Sequence, residues 1–157
     1  MPADTSQLDL TGVASCASFN FRRTARAVTR LYDLAFNGSG IRSTQFTILI
    51  GVAKTQPTPI GALSDLLIID RTTLTRSLRL LKNQGLLDVS PRSTKRQRFV
   101  TLTQKGVQLL ARSIPAWRQA QDSFVATVGA DYWRDLRSQL EKLAHVAISL
   151  ENPAQPK

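Results

Sequence analysis

The chain has 157 residues, is 42% hydrophobic and 20% charged, and carries 21 Lys and Arg against 11 Asp and Glu, a formal net charge of +10. This length fits one ordinary domain, and the composition is that of a globular chain, which excludes disorder for the bulk of it. No apolar run approaches the ~18 to 20 residues that span a bilayer. A single cysteine excludes an internal disulfide, and the start MPADTSQLDL lacks the features of a secretory signal, so we expect a cytoplasmic protein with no membrane partner.

The positive charge is concentrated in one stretch of the chain, between residues 70 and 98. Eight cations and two anions fall there, which gives +6 in 29 residues. The cations are Arg71, Arg76, Arg79, Lys82, Arg92, Lys95, Arg96 and Arg98. Such a field attracts a polyanion such as nucleic acid. A second row, Arg22, Arg26 and Arg30, follows helical spacing, and we interpret it as a solvated helix face.

Hydrophobic spacing predicts three helices in the first 67 residues. The first covers Val13 to Asn37 and ends at the sequence NGSG. Ser43 is predicted to cap a second helix that runs to about Lys54, where the sequence TQPTP breaks it. A short helix over residues 60–67 follows.

The segment from Asp70 to Gly85 predicts a helix with two distinct faces, capped by the aspartate and stopped by the glycine. At ~100° per residue, Leu74, Leu78 and Leu81 share one arc. The opposite arc holds polar and basic residues: Arg71, Thr72, Thr75, Arg76, Arg79, Lys82 and Asn83. One face is therefore predicted to pack, while the other offers hydrogen bonds and positive charge.

Two short strands, LLDVS and RQRFVTL, are predicted after this helix, joined by the basic turn SPRSTK. Two helices joined by a tight turn and followed by a basic hairpin make a winged helix-turn-helix. In that geometry a helix reads base edges in the major groove, and an arginine of the hairpin can enter the minor groove. We therefore expect a mainly α fold with a small β-hairpin wing.

Helical spacing resumes at Thr103, with Pro115 as a predicted kink and the sequence VGAD as a break. The apolar stripe of the last helix comprises Leu136, Leu140, Leu143, Ala147 and Leu150. This stripe is too long to be covered by a small winged domain. It must pack either on the first helix of its own chain or on a partner.

This arrangement resembles the MarR family of bacterial transcription regulators over residues 16–150. The resemblance rests on RRTARAVTRLYD in the first helix, GIRSTQFTIL in the second, DRTTLTRSLRLLKNQGLL in the turn and recognition helix, and VTLTQKG after the wing. It implies a winged helix-turn-helix over residues 40–102, flanked by helical dimerisation regions over 12–38 and 103–150. Residues 1–11 and 151–157 are expected to be flexible tails.

By this resemblance the protein is expected to be a homodimer that binds a pseudo-palindromic operator in double-stranded DNA, most simply as a repressor. The residues expected to contact DNA are Arg71, Thr72, Thr73, Thr75, Arg76, Arg79, Arg92, Lys95, Arg96 and Arg98. Arg96 matches the wing arginine of the family. The sequence departs from the family at Thr94, where many relatives carry an aspartate that orients this arginine.

The resemblance also implies an effector, because family members commonly release DNA when small aromatic or phenolic anions bind. The expected pocket residues are Arg26, Tyr32, Phe46 and Trp117, which combine apolar walls with one cation.

Two alternatives stay open. Some peroxide-sensing relatives have a lone cysteine early in the first helix, so Cys16 is a redox candidate, with Tyr32 as a possible partner. Cys16 lies two residues upstream of the sensor position, which Ser18 occupies, and two residues rotate a helical side chain by ~200°. The other alternative is a basic protein that binds nucleic acid without reading its sequence, which accounts for the charge but not for the two-faced helix.

An enzyme is the least supported class. The sequence contains no GxxxxGK[ST], GxGxxG or GxSxG motif. One histidine, His145, and one cysteine do not form a clustered metal-ligand set, so no metal or cofactor is expected.

Overall fold

The computed structural model describes residues 1, 3–91 and 97–151. The helices in these ranges are α1 (Ala17–Ala35), α2 (Ser43–Thr55), α3 (Ile60–Leu67), α4 (Arg71–Asn83), α5 (Gln104–Val128) and α6 (Ala130–Glu151). The strands are β1 (Thr58–Pro59), β2 (Leu87–Pro91) and β3 (Arg98–Leu102). This confirms the mainly α winged helix-turn-helix predicted from the sequence.

The first helix begins four residues later than predicted. Val13–Ser15 form a separate 3₁₀ turn, and Cys16 has extended ψ before α1 starts at Ala17. The carbonyl oxygen of Cys16 accepts hydrogen bonds from the backbone N–H and the side-chain amide of Asn20, at 3.1 and 3.0 Å. The helical hydrogen bonding of α1 therefore begins at the carbonyl group of Cys16, which is its N-cap residue.

The prediction that Ser43 caps α2 was wrong. Arg42 is the N-cap residue, and its N–H donates to Oε1 of Gln45 at 3.0 Å. Ser43 is the first helical residue, and its N–H donates to Oδ1 of Asp33 at 2.7 Å. A carboxylate of α1 therefore does the capping, a partner ten residues away that a local pattern does not identify.

The wing belongs to a three-stranded antiparallel sheet with strand order β1, β3, β2. The predicted hairpin is present, and in it Leu87 pairs with Leu102 and Val89 with Val100. The sequence analysis missed β1, in which Thr58 pairs with Val100. A segment of two residues has no period of its own, so only the register on β3 defines it.

The core lies where α2, α3 and α4 meet β3. Leu49, Leu63, Leu74, Leu81 and Val100 have no exposed surface. Leu78, on the same face of α4, is 2% exposed. The predicted apolar face of α4 is therefore confirmed, and its end is set by Gly85, whose φ of 73° suits a residue without a Cβ.

The chain forms two compact units, Met1–Trp117 and Arg118–Lys157, called here the N-terminal and C-terminal units. The boundary falls inside α5, two residues after Pro115, which lies within the helix. In the C-terminal unit, Phe124 and Trp133 pack edge to face with ring centroids 5.4 Å apart. None of the helices in the described ranges is long and apolar enough to cross a membrane.

Candidate nucleic-acid interface

Helix α4 presents a polar face whose geometry follows from its cap and its core. The N–H of Thr73 donates to Oδ1 of Asp70 at 2.8 Å, and Leu74 and Leu78 hold the opposite face in the core. The surface residues Arg71, Thr72, Thr75, Arg76 and Arg79 are exposed and line one shallow depression of about 430 Å³. The structure thus brings five of the ten predicted DNA-contact residues together on a single surface, called here the α4 surface.

The positive charge of the α4 surface is not neutralised by nearby carboxylates. Within residues 1, 3–91 and 97–151, Arg71, Arg76 and Arg79 make no ion pair. Hydrogen bonds from Thr73, first from its side chain and then from its amide, hold the pKa of the Asp70 carboxyl below its ordinary value. The Asp70 carboxylate is therefore engaged in capping α4. Arg71, Arg76 and Arg79 remain available to an anionic partner.

A second depression, of about 520 Å³, lies beside the first and joins α4 to the base of the wing. It is lined by Pro59, Ile60, Gly61, Ala62, Asp65, Arg71, Thr75, Gln97 and Arg98. Arg98 is exposed at the start of β3, so the structure places this predicted contact next to Arg71 and Thr75. Arg71 is shared by both depressions, and the two therefore form a continuous basic surface.

The sequence analysis missed Gly61 and Gln97, which belong to the same surface. A Cβ added at Gly61 would lie 3.4 Å from Nη2 of Arg71. The end of the Arg71 side chain therefore lies against α3 at Gly61. No spacing rule connects residues 61 and 71, so only the packing of α3 on α4 reveals this contact.

The remaining predicted DNA contacts are placed differently. Thr73 is exposed on the flank of α4, where its carbonyl oxygen accepts a hydrogen bond from Oγ of Ser77 at 3.0 Å. Arg92, Lys95 and Arg96, like Thr94, lie outside the described residues. Lys82, which was not among the predicted DNA contacts, faces the wing, where its Nζ lies 3.4 Å from Oδ1 of Asp88 and donates to the carbonyl oxygen of Val89.

Three of the four predicted effector residues line one cavity of about 270 Å³ in the N-terminal unit. They are Tyr32, Phe46 and Trp117, and the other lining residues are Val28, Thr29, Phe36, Ser43, Thr44 and Thr47. Arg26 is exposed on α1 and is not among the residues that line this cavity. We call it the aromatic cavity, and its lining lacks the cation that the sequence analysis expected.

Cys16 is exposed at the start of α1. Tyr32 is 16 residues further along the same helix, which at 1.5 Å per residue separates the two by roughly 24 Å. The proposed contact between this thiol and the tyrosine of the same chain is therefore excluded. Among the described residues no group of three His, Cys, Asp or Glu side chains has the arrangement of a metal site.

Comparison with solved structures relates this fold to transcription regulators. The M. tuberculosis transcriptional regulator MosR in complex with DNA is 32% identical, with a TM-score of 0.79, over 86% of this chain and 98% of MosR. A mutant of E. coli MarR complexed with operator DNA is 20% identical, with a TM-score of 0.76, over 87% of this chain and 99% of that one. BpsR of Bordetella bronchiseptica, whose DNA binding is regulated by 6-hydroxynicotinic acid, is 21% identical, with a TM-score of 0.72, over 92% and 99%.

Two other comparisons were negative. No family profile and no curated protein sequence matches the chain. The relationship therefore rests on structure together with the 32% identity to MosR over nearly all of that protein. The chain belongs to the MarR family of DNA-binding transcriptional regulators.

Proposed function

We propose that the protein is a homodimer that reads a pseudo-palindromic operator with α4, represses transcription there, and is released by a small aromatic effector. The observation that carries this proposal is the α4 surface. It combines three arginines without ion pairs in the described part of the chain with Thr72 and Thr75 on one exposed helix face. Arginine and threonine can donate to base edges and phosphates, and a helix of this size fits the major groove.

Two roles are expected within the basic surface. Arg76 lies near the middle of α4, next to Thr75 and one turn after Thr72, which suits contact with base edges, while Arg71 and Arg79 suit contact with bases or phosphates. Arg98 lies at the base of the wing, where it suits contact with the DNA backbone. Arg92, Lys95 and Arg96 extend the proposed wing contacts, with Arg96 proposed for the minor groove.

The dimer is supported by two helices in which no residue is fully buried within the chain. Neither α1 nor α6 contains a buried residue. The exposed large apolar residues of these helices are Phe19, Phe21, Leu31, Leu34, Tyr132, Leu140, Leu143, Val146, Ile148 and Leu150. A stable dimer needs roughly 800 Å² of buried surface per partner, and these side chains supply a suitable apolar surface. Residues 12–38 and 103–150 are therefore proposed as the dimerisation regions.

The aromatic cavity supports the effector part of the proposal. Its lining residues belong to α1, the end of α1, α2 and, through Trp117, α5. Because α1 is also part of the proposed dimer surface, the cavity adjoins that surface. We expect a compound bound there to change the position of the winged helix-turn-helix relative to the dimerisation helices. That change would alter the distance between the two α4 helices of the dimer. For a two-fold dimer, that distance must match half-sites about one helical turn apart.

The experiment begins with selection of operator sequences from a pool of random DNA by the full-length protein. The Arg76→Ala variant should then bind the selected operator roughly 5- to 150-fold more weakly, equivalent to about 1 to 3 kcal/mol, and discriminate less against changed bases. Arg98→Ala should weaken binding to all DNA sequences alike and reduce the salt dependence of binding.

Arg112→Ala is the matched control, because Arg112 is an exposed arginine of α5 that lines neither depression. It should bind the operator like the parent. An equal loss on operator and random DNA in the Arg76→Ala variant would contradict the assignment of base reading to α4. It would favour a protein that binds nucleic acid through charge alone.

A further inference from the structure

Helix α1 carries a row of cations that the proposed DNA contacts do not use. The helix contains four arginines, one aspartate and no lysine. Arg22, Arg26 and Arg30 follow one another at intervals of four residues, so they lie roughly 6 Å apart along the axis and within an arc of about 80°. All three are exposed, and we call them the α1 row. The fourth arginine, Arg23, is exposed beside them.

No carboxylate in the described part of the chain neutralises the α1 row. None of its arginines makes an ion pair with another described residue. The one carboxylate of α1, Asp33, is engaged at the start of α2. Its Oδ1 accepts from the N–H of Ser43 at 2.7 Å, and its Oδ2 lies 3.6 Å from Nη1 of Arg42. The α1 row therefore keeps its charge for an anionic partner.

The α1 row lies on a different side of the helix from the aromatic cavity and from the exposed leucines. Measured from Arg22 at ~100° per residue, the row ends at about 80°. Val28 and Tyr32, which line the aromatic cavity, lie at about 240° and 280°. Leu31 and Leu34, which are 41% and 74% exposed, lie at about 180° and 120°. The row can therefore meet a partner while these leucines belong to the proposed dimer surface.

The α1 row is also separated from the α4 surface. Helix α1 packs on α2, whereas α4 packs on α3 and β2. Between the end of α1 and the flank of α4 lies a depression of about 570 Å³, whose lining includes Asp33 and Leu80. Its two charged residues, Asp33 and Arg42, balance each other, and it shares no lining residue with the two depressions at the α4 surface. The chain therefore carries two discontinuous basic surfaces.

The chemistry of the α1 row fits the phosphate backbone of DNA. All the cations of α1 are arginines, and a guanidinium group pairs with phosphate through two parallel hydrogen bonds. A duplex presents one negative charge per ~1.7 Å of its axis. An extended acidic peptide presents at most one carboxylate per ~3.3 Å. The higher charge density of the duplex favours DNA over an acidic protein segment.

We propose that the α1 row binds the phosphate backbone of a second DNA segment, so that one dimer joins two segments. This inference rests on the proposed function, because the first segment is the operator held by α4. Contacts to phosphates fix position without distinguishing bases, so the second segment needs no particular sequence. A duplex has a persistence length of ~150 bp, so a short operator fragment cannot bend back from α4 to the row.

The experiment measures capture of a second duplex by the operator complex. An operator fragment of about 30 bp, far below the persistence length, is fixed on beads and saturated with the full-length protein. The beads are washed, and a labelled duplex of the same length without the operator is added. The parent protein should retain this duplex. With three phosphates contacted, retention should fall roughly 40-fold between about 50 and 200 mM salt. Failure of the parent to retain the duplex would overturn the proposal.

The role of the α1 row is tested with the triple variant Arg22→Gln, Arg26→Gln and Arg30→Gln. Glutamine is a good helix former, so α1 should be retained. At low salt the variant should capture the second duplex about tenfold less than the parent or weaker still, because three phosphate contacts are lost. Its affinity for the operator should equal that of the parent.

The matched control carries Arg112→Gln, Arg118→Gln and Arg137→Gln. These exposed arginines of α5 and α6 contribute the same total charge as the α1 row. The control should capture the second duplex like the parent. Equal losses in the two triple variants would show an effect of net charge alone and would overturn the proposal.

Three further results would overturn the proposal. Loss of operator affinity in parallel with capture would place the α1 row in the operator contact itself. Dissociation of the α1 variant into monomers, measured by sedimentation, would show that the row pairs with carboxylates of the partner protomer. Displacement of the labelled duplex by polyglutamate as effectively as by unlabelled duplex, at equal total charge, would favour an acidic protein segment.

Operator binding, measured on the same beads, separates this inference from the proposed function. Intact operator binding without capture would contradict the second DNA site alone. If no operator is selected, the two triple variants are compared for binding to a random duplex. A loss confined to the α1 variant would then support the α1 row and contradict only the proposed function, whereas equal binding would overturn the role of the row.

Discussion

The recognition helix α4 and the last helix α6 carry similar apolar patterns with different outcomes. In α4, Leu74, Leu78 and Leu81 are spaced i, i+4, i+7 and are at most 2% exposed. In α6, Leu136, Leu140 and Leu143 have the same spacing, yet Leu140 and Leu143 are 37% and 49% exposed. The pattern predicts which face of a helix is apolar, but it does not indicate what covers that face.

This difference extends to the two units. Every buried residue in the described ranges lies in the N-terminal unit, and none follows Trp117. The N-terminal unit therefore has a core of its own, whereas the apolar stripe of α6 is exposed in the single chain. Mutations in the two units should consequently differ in whether their effect depends on protein concentration.

The largest expected effect is in the core of the N-terminal unit. Leu81→Ala should lower the free energy of unfolding by about 3 to 4 kcal/mol, because Leu81 has no exposed surface and its removal leaves a cavity. Urea denaturation followed by circular dichroism measures this loss. An unfolding midpoint equal to that of the parent would contradict the central place of Leu81 in the core.

The second-largest effect is expected on the affinity of dimerisation and not on the stability of the fold. Leu143→Asp places a charge in the middle of the proposed dimer surface and should weaken dimerisation at least 100-fold, or about 2.7 kcal/mol. Sedimentation at several concentrations measures it, and helix content should be retained. Ser138→Asp introduces the same charge on another side of α6 and should dimerise like the parent. Equal dimerisation of both variants would contradict the assignment of this stripe to the interface.

A smaller effect is expected at the junction of α1 and α2. Asp33→Ala removes the acceptor for the N–H of Ser43 and the ion pair with Arg42, whose Nη1 lies 3.6 Å from Oδ2 of Asp33. The loss in stability should be on the order of 1 to 2 kcal/mol at pH 7. Asp122→Ala, at an exposed carboxylate that makes no ion pair with the described residues, should change stability little.

The stability contributed by Asp33 should also depend on pH in a defined direction. Hydrogen bonding to the backbone of Ser43, the first cause, and the charge of Arg42 hold the pKa of Asp33 below its ordinary value. Its contribution is therefore complete above the ordinary carboxyl value of about 3.9 and is lost as pH falls below it. The difference between parent and Asp33→Ala should shrink over that acid range, and a constant difference would contradict this account.

The smallest predicted effect is a gain in stability in the turn between α3 and α4. Ile68 has φ 52° and ψ 46°, a left-handed conformation that is costly for a β-branched residue, and it is 61% exposed. Ile68→Gly should raise the free energy of unfolding by roughly 0.5 to 1 kcal/mol, because glycine adopts this conformation without strain. Thermal unfolding measures it, and a lower melting temperature would contradict the prediction.

Much of the winged helix-turn-helix could be predicted because its signals are local. The spacing of leucines in α4, its aspartate cap and its terminal glycine lie within 16 residues, so one helical period defines both faces. Five predicted DNA contacts lie on the α4 surface for the same reason. The C-terminal break at Gly129 was likewise predicted from the sequence.

Interactions between distant residues required the tertiary structure. Thr58 pairs with Val100 across 42 positions, Asp33 caps α2 from another helix, and the Arg71 side chain lies beside Gly61. The aromatic cavity is the clearest example, because Tyr32, Phe46 and Trp117 of the four predicted residues line it and Arg26 does not. A helical period determines the direction of a side chain on its own helix, whereas the chemistry of a cavity depends on which side chains of several helices converge.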